Sequence, residues 1–339
     1  MFGSMIDQST LKNALDQQIR LILENSLLDR AGELNSLLAY QMGMDGESGS
    51  ESARGKRLRP LLLLYCTHAV GGRWEEAISS AAAVEMLHNF SLIHDDIQDK
   101  SELRRGRPTV WVKWGMAQAI NAGDALLGMS QLALLQDAEK RPQEIAFRLF
   151  DLFNRTLVKL TIGQYFDLAF EKSEAFSVDA YDDMVAGKTG ALLAACFEMG
   201  SILGGAGSDQ ISSMAEAGRA VGRAFQIQDD WLGIWGIESQ TGKSALSDLL
   251  ERKKTYPVIR GIAAGGEFAG LWRKPGKIDY AYAIQLSESL IRDGIKDETE
   301  YAYQKEFERV LRLLQEPGIP KERIQPLVDL IQSILHRMK

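Results

Sequence analysis

The chain has 339 residues, 45% of them hydrophobic and 25% charged, the composition of a folded soluble protein and enough chain for one large domain or two ordinary ones. Its net charge of −7 argues against a nucleic-acid role, because a binder of phosphate backbones carries a basic surplus. A local basic pocket stays open.

The N-terminal stretch, Met1 to Arg20, carries Asp7, Asp16 and several glutamines and has no apolar signal core. Met1-Phe2-Gly3-Ser4 before Met5 reads as a cloning scar. No apolar run approaches the roughly 20 residues that span a bilayer. Cys66 and Cys196 lie far apart in apolar, helix-like surroundings. They read as buried thiols of a reducing cytosol, not as a disulfide or zinc framework.

Apolar residues recur at three- and four-residue intervals: Leu11, Leu15, Ile19 and Ile22 form one stripe, and Ile324, Leu327, Leu330, Ile331 and Ile334 another. Alternating β-branched runs are nearly absent, and the eight prolines are expected at boundaries. The predicted fold class is all-α.

A Gly/Ser-rich segment over 42–54 is expected to be a mobile loop. It delivers the chain to Gly55-Lys56-Arg57-Leu58-Arg59-Pro60 and a helix over 61–70. A basic cluster at a helix start suits an anion; taken alone, a solvated Lys/Arg run explains it equally well. The next helix, over 74–99, carries His88 and ends in Asp95-Asp96-Ile97-Gln98-Asp99. Helical spacing stacks Asp95 and Asp99 on one face with Asp96 on their flank. Acids packed this tightly repel unless a cation offsets them. Arg104-Arg105-Gly106-Arg107 follows as a loop, and helices over 114–135, to 170, and over 176–199 come next. They contain Gly163-Gln164 and Lys188-Thr189. A further helix ends in Phe225-Gln226-Ile227-Gln228-Asp229-Asp230, then a loop carrying Lys243 leads to Lys253-Lys254.

Two acidic helix ends with several basic clusters fit metal-assisted activation of a diphosphate leaving group. Mg²⁺ binds through one or two carboxylates plus substrate phosphates, and Lys and Arg take the remaining phosphate charge. That chemistry does not name an organic substrate.

These motifs, in this order and approximate spacing over nearly the whole chain, resemble the trans-isoprenyl diphosphate synthases (polyprenyl synthetases). The resemblance implies a single catalytic domain over 1–339, a bundle of antiparallel helices around a deep central cavity, and a homodimer. It implies head-to-tail condensation of isopentenyl diphosphate with an allylic diphosphate. Asp95, Asp99 and Asp229 would hold Mg²⁺ (or Mn²⁺), supported by Asp96 and Asp230. Arg104, Lys188, Thr189, Gln226, Lys243 and Lys253 would bind the allylic diphosphate; Lys56, Arg59, His88 and Arg105 would bind isopentenyl diphosphate. Phe90 and Ser91 would form the floor that limits product length, of the type that makes geranylgeranyl diphosphate, with farnesyl diphosphate as the alternative.

Two features depart from the family pattern. Gly233 stands where a third aspartate of the second motif is usual, with Glu238 near enough in sequence to assist. Against the family pattern the segment Gly242 to Asp248 is one residue longer than in some relatives, which leaves Lys253 and Lys254 in competition. A class I terpene cyclase or head-to-head prenyl synthase would share the acidic motifs but needs no isopentenyl diphosphate site. An inactive partner subunit of a heteromeric synthase is the reading that Gly233 alone supports.

Overall fold

The computed structural model describes residues 6–24, 32–46, 51–172, 177–236, 245–315 and 318–335. Fourteen helices, the very short turns apart, order the described chain. They are α1 (Gln8–Glu24), α2 (Gly32–Met42), α3 (Leu58–Ala69), α4 (Ile78–Gln98), α5 (Met116–Ala138), α6 (Gln143–Lys172) and α7 (Val178–Val185). Then follow α8 (Ala191–Leu203), α9 (Ser208–Trp235), α10 (Tyr256–Ala264), α11 (Glu267–Trp272), α12 (Tyr280–Arg292), α13 (Ile295–Gln315) and α14 (Lys321–Leu335). The only strands among the described residues are β1 (Leu103–Arg104) and β2 (Arg107–Pro108), paired antiparallel. The all-α expectation holds, with one ribbon where a plain loop was expected.

The helices fall into two compact units, Met1–Asn154 with Cys196–Ile211, and Arg155–Ala195 with Ser212–Lys339. In the first, Leu11, Leu15 and Ile19 of α1 are fully buried, as their stripe predicts. Helix α3 is apolar nearly all round and buried from Pro60 to Thr67, which suits a central helix. Both cysteines are buried thiols. The second unit is built on Ile234, Leu249, Val258, Phe268, Trp272, Leu286, Leu290 and Ile295.

Three local expectations change. Residues 51–54 of the expected mobile loop form a short helical turn. The helix expected over 176–199 is interrupted by a turn of π-helix, Ala186–Gly190, between α7 and α8. Such bulges insert a residue and reorient side chains, and this one carries Lys188 and Thr189. Pro326 lies inside α14, not at a boundary. Burial of Ile324, Leu327, Leu330, Ile331 and Ile334 along that helix offsets the lost backbone bond. Among the described residues, no helix is long and apolar enough to cross a membrane.

Candidate active site

In the first unit, α4 brings an acidic end and a basic cluster onto one helix. The helix closes at Asp99, whose N–H donates to the Asp95 carbonyl at 2.8 Å, while Ser101 N–H reaches the Asp96 carbonyl at 2.9 Å. Three carboxylates therefore sit at the negative end of a helix whose last turn holds no basic residue. That placement disfavours anions and favours a cation. Asp96 turns inward, and its Oδ1 accepts from Nε and Nη2 of Arg104, both at 2.7 Å. Burial pushes the Asp96 carboxyl up, against the pull of Arg104. Asp95 is half-buried and Asp99 exposed.

Arg104 is aimed by the ribbon. Arg105 and Gly106, at φ 54° and 75°, make the left-handed two-residue turn that a tight hairpin requires, and Arg104 pairs across it with Arg107. Arg107 in turn bonds Asp45 at 2.6 Å and lies over the Tyr40 ring at 3.8 Å. A small, open cleft is lined here by Tyr40, Gln41, Arg104, Arg105, Arg107 and Thr109, among others.

The basic cluster gathers where α3 begins. Arg59 Nη1 lies 3.1 Å from His88 Nε2. Because a guanidinium only donates, His88 accepts through Nε2 and carries its proton on Nδ1. Burial, then the charges of Arg59, Arg105, Arg104 and Arg57, hold the His88 imidazole well below its usual range, so it is neutral. Arg59 Nε is buried with no hydrogen-bond partner among the described residues. Gly55, at φ 69°, has no side chain where the Arg105 guanidinium passes; a Cβ there would lie 2.5 Å from its Cζ. Arg105 Nη1 then donates to the Ala53 carbonyl at 2.9 Å. Lys56 is exposed beside it. Phe90 is buried, with its ring edge-to-face on His94 at 4.8 Å, and Ser91 Oγ donates to the His88 carbonyl at 2.8 Å.

In the second unit, Gly163 and Gly187 let α6 and the π-turn touch. A Cβ at Gly163 would lie 2.1 Å from Lys188 N. The contact puts Lys188 Nζ in an ion pair with Asp167. Thr189 Oγ1 donates to Gln226 Oε1 at 2.8 Å, and Gln226 Nε2 donates to Asp230 Oδ1 at 2.9 Å. Asp230 Oδ2 accepts from Tyr181 Oη at 2.6 Å and from Tyr256 N–H at 2.8 Å. Burial pushes the Asp230 carboxyl up to about 7, against these three bonds. Asp230 is thus held by protein groups, while Asp229 next to it is exposed. Lys253 pairs with Glu251 at 2.7 Å, and Lys254 Nζ reaches the Phe170 carbonyl of α6. Lys243 and Glu238 lie outside the described residues.

Gly233 has a structural reason. A Cβ built there would lie 2.0 Å from Oδ2 of Asp248, whose carboxylate fills that space.

Among the described residues, no three His, Cys, Asp or Glu side chains gather closely enough to hold a metal by themselves. Asp95 and Asp99 at the cation-favouring end of α4, and Asp229 in the interior of α9, which runs on to Trp235 and does not end at the acidic motif as expected, each nonetheless fit Mg²⁺, which needs only one or two protein carboxylates when phosphates and water complete its shell. Sequence reasoning missed Tyr40, Arg107 and Tyr181, which aim or hold the residues above. Tyr40 stands in no charged pattern and Tyr181 among acids that gave no hint of its bond to Asp230, so only their tertiary contacts reveal them.

The polyprenyl synthetase family model matches residues 49–271. A (2E,6E)-farnesyl diphosphate synthase of Mycobacterium tuberculosis H37Rv is 41% identical over 69% of this chain and 64% of its own length. The chain thus spans less than two thirds of the curated relatives it first matches. The solved geranylgeranyl pyrophosphate synthetase of Pyrococcus horikoshii superposes at TM-score 0.86 with 31% identity, over 97% of both chains. A Caulobacter crescentus polyprenyl synthase, solved with calcium and isoprenyl diphosphate, superposes at 0.74 with 26% identity, over 95% of this chain and 98% of that one.

Proposed function

Because the chain belongs to the polyprenyl synthetase family, we propose that it is a prenyltransferase that joins isopentenyl diphosphate head-to-tail to an allylic diphosphate, giving a short trans-prenyl diphosphate. The observation that carries this reading lies on α4. One helix holds His88 against Arg59 in a basic cluster and, two turns on, Asp95 and Asp99 at its cation-favouring end. A cyclase needs the acidic end alone; two diphosphate-binding chemistries in one unit suit condensation of two diphosphates.

Lys56, Arg59, His88 and Arg105 bind isopentenyl diphosphate, and the unpartnered Nε of Arg59 is a donor for it. Asp95, Asp99 and Asp229 hold Mg²⁺, with Asp96 and Asp230 as supports that are themselves fixed by Arg104 and Tyr181. Bound Mg²⁺ supplies charge neutralisation of the allylic diphosphate. Arg104, Lys188, Thr189, Gln226, Lys243 and Lys253 take that diphosphate, and Lys254 competes with Lys253 for the role. The allylic C–O bond breaks, the isopentenyl double bond attacks the cation to form the new C–C bond, and the departing diphosphate accepts the proton.

Geranylgeranyl diphosphate is the proposed product, with Phe90 as floor and His94 beneath its ring. The chain acts as one catalytic domain in a reducing cytoplasm, consistent with two buried thiols. The exposed stripe Val158, Ile162, Tyr165 and Phe166 on α6 supports a homodimer, since helical apolar stripes seek a partner. The test is a product assay. With Mg²⁺ and isopentenyl diphosphate, dimethylallyl, geranyl and farnesyl diphosphates should each be extended to a twenty-carbon limit. No elongation from any starter would reject the reading.

A further inference from the structure

The segment Gly55 to Pro60 holds a residue that the proposed chemistry leaves without a role. Arg57 is 3% exposed and caps α3 from the left-handed region, at φ 52°, with no side-chain cap bond of its own. A non-glycine residue there is strained, so its contacts must offset the strain. Its guanidinium spends every nitrogen on protein: Nη1 donates to Glu85 Oε1 at 2.8 Å, Nη2 to the Met42 carbonyl at 2.7 Å, and Nε to Asp16 Oδ1 at 3.3 Å. Glu85 is 2% exposed on α4 and also accepts from Asn89 Nδ2 at 3.0 Å. Gln41 Nε2 completes the network by donating to Asn89 Oδ1 at 3.2 Å.

Arg57 caps α3 and Arg59 lies in its first turn, and Glu85 and His88 lie three residues apart on α4. Two links therefore join the same pair of helices, Arg57 to Glu85 and Arg59 to His88. The first is buried and fully bonded; the second holds two groups proposed to bind substrate. Glu85 also supplies the attractive charge that Arg59 and Arg105 both feel from α4, in a neighbourhood where Arg57, Arg59, Arg104 and Arg105 all act on His88. A buried ion pair is a weak source of stability, since apolar residues of like volume often do as well. Its value here lies in geometry.

We propose that the Arg57–Glu85 pair is a positioning device for the isopentenyl diphosphate cluster, locking the start of α3 on α4 so that Arg59 is held against His88 before the diphosphate enters. This rests on the functional reading above. Neither residue touches substrate.

The experiment compares the full chain with the double variant Arg57→Met/Glu85→Leu and with the milder Arg57→Lys and Glu85→Gln. Each is measured for KM of isopentenyl diphosphate, KM of the allylic substrate, kcat and thermal midpoint. The double variant should raise KM for isopentenyl diphosphate at least tenfold while KM for the allylic substrate stays within twofold. Arg57→Lys, which keeps the charge and loses the fork, should lie between. Equal changes in both KM values, or an unchanged KM for isopentenyl diphosphate, would overturn the proposal. If the double variant does not fold, Arg57→Lys and Glu85→Gln decide by the same ratio. A wild-type chain that elongates no starter would reject the functional reading itself, whereas elongation without the KM split rejects this inference alone.

Discussion

The carboxylate of Asp248 occupies the space that a side chain at position 233 would fill, 2.0 Å from where its Cβ would stand. The second acidic motif ends in glycine, and an acid from a later segment takes up the space that a side chain there would use. Asp248 also raises the Asp230 carboxyl, so the two acids are electrostatic neighbours. Gly233→Asp should lower kcat at least tenfold and destabilise the fold by about 1–3 kcal/mol, the usual cost of overpacking. Adding Asp248→Gly should recover most of the stability. Thermal melts and steady-state rates of the two variants check this.

Asp95 and Asp99 crowd the negative end of α4. Asp99→Asn should leave the metal-free fold as stable or more so, by about 0.3–1 kcal/mol. The same change should lower kcat at least a hundredfold and raise the Mg²⁺ concentration for half-maximal rate. Melts without metal and rate titrations with it read the two effects separately.

His88 is held neutral by burial and by four nearby guanidiniums. Its folded pKa lies below its unfolded value of about 6.5, so the unfolded chain binds the extra proton as pH falls. The stability His88 contributes is therefore full above that value and declines below it, by at most about 1.4 kcal/mol per pH unit. His88→Gln should remove this slope. Urea midpoints of both chains between pH 5 and 8 give the difference curve.

Asp230 shifts the other way, to about 7. It binds a proton in the folded chain that the unfolded carboxyl has lost, so its contribution fades as pH rises from its ordinary range through about 7. Tyr181→Phe removes one bond that holds the carboxylate. It should cost about 1–2 kcal/mol and extend the fading above pH 7. Denaturation at pH 6 and 8 checks the sign.

Phe90 rests its ring on His94 one turn before the acidic end closes. Phe90→Ala should lengthen the product beyond twenty carbons while leaving initiation on the shortest starter within a fewfold. Mass analysis of products decides it. An unchanged product distribution would remove Phe90 from the floor.

The helices and both aspartate motifs were legible in sequence because they rest on spacing: Leu11, Leu15 and Ile19 mark a face, and Asp95 and Asp99 a turn; that the second motif lies inside α9 and not at its end was not. The distinction within each pair was not. Asp96 and Asp230 differ from Asp95 and Asp229 by burial and by partners on distant segments, Arg104 and Tyr181. Arg57 read as one more solvated cation in a basic run, since its left-handed backbone and its bond to Glu85 exist only after α3 meets α4. The carboxylate that occupies the space beside Gly233 belongs to Asp248, fifteen residues later in the chain. Pro326 went against expectation because burial of its helix outweighs one missing backbone bond.

The most direct test of the central claim is the stoichiometry of diphosphate release. Geranyl diphosphate and Mg²⁺ are given to the purified chain with and without isopentenyl diphosphate, and released diphosphate is counted against the mass of the prenyl product. Condensation predicts one diphosphate released for each five-carbon unit added and almost none without isopentenyl diphosphate. Rapid release from geranyl diphosphate alone, with a hydrocarbon as product, would contradict it.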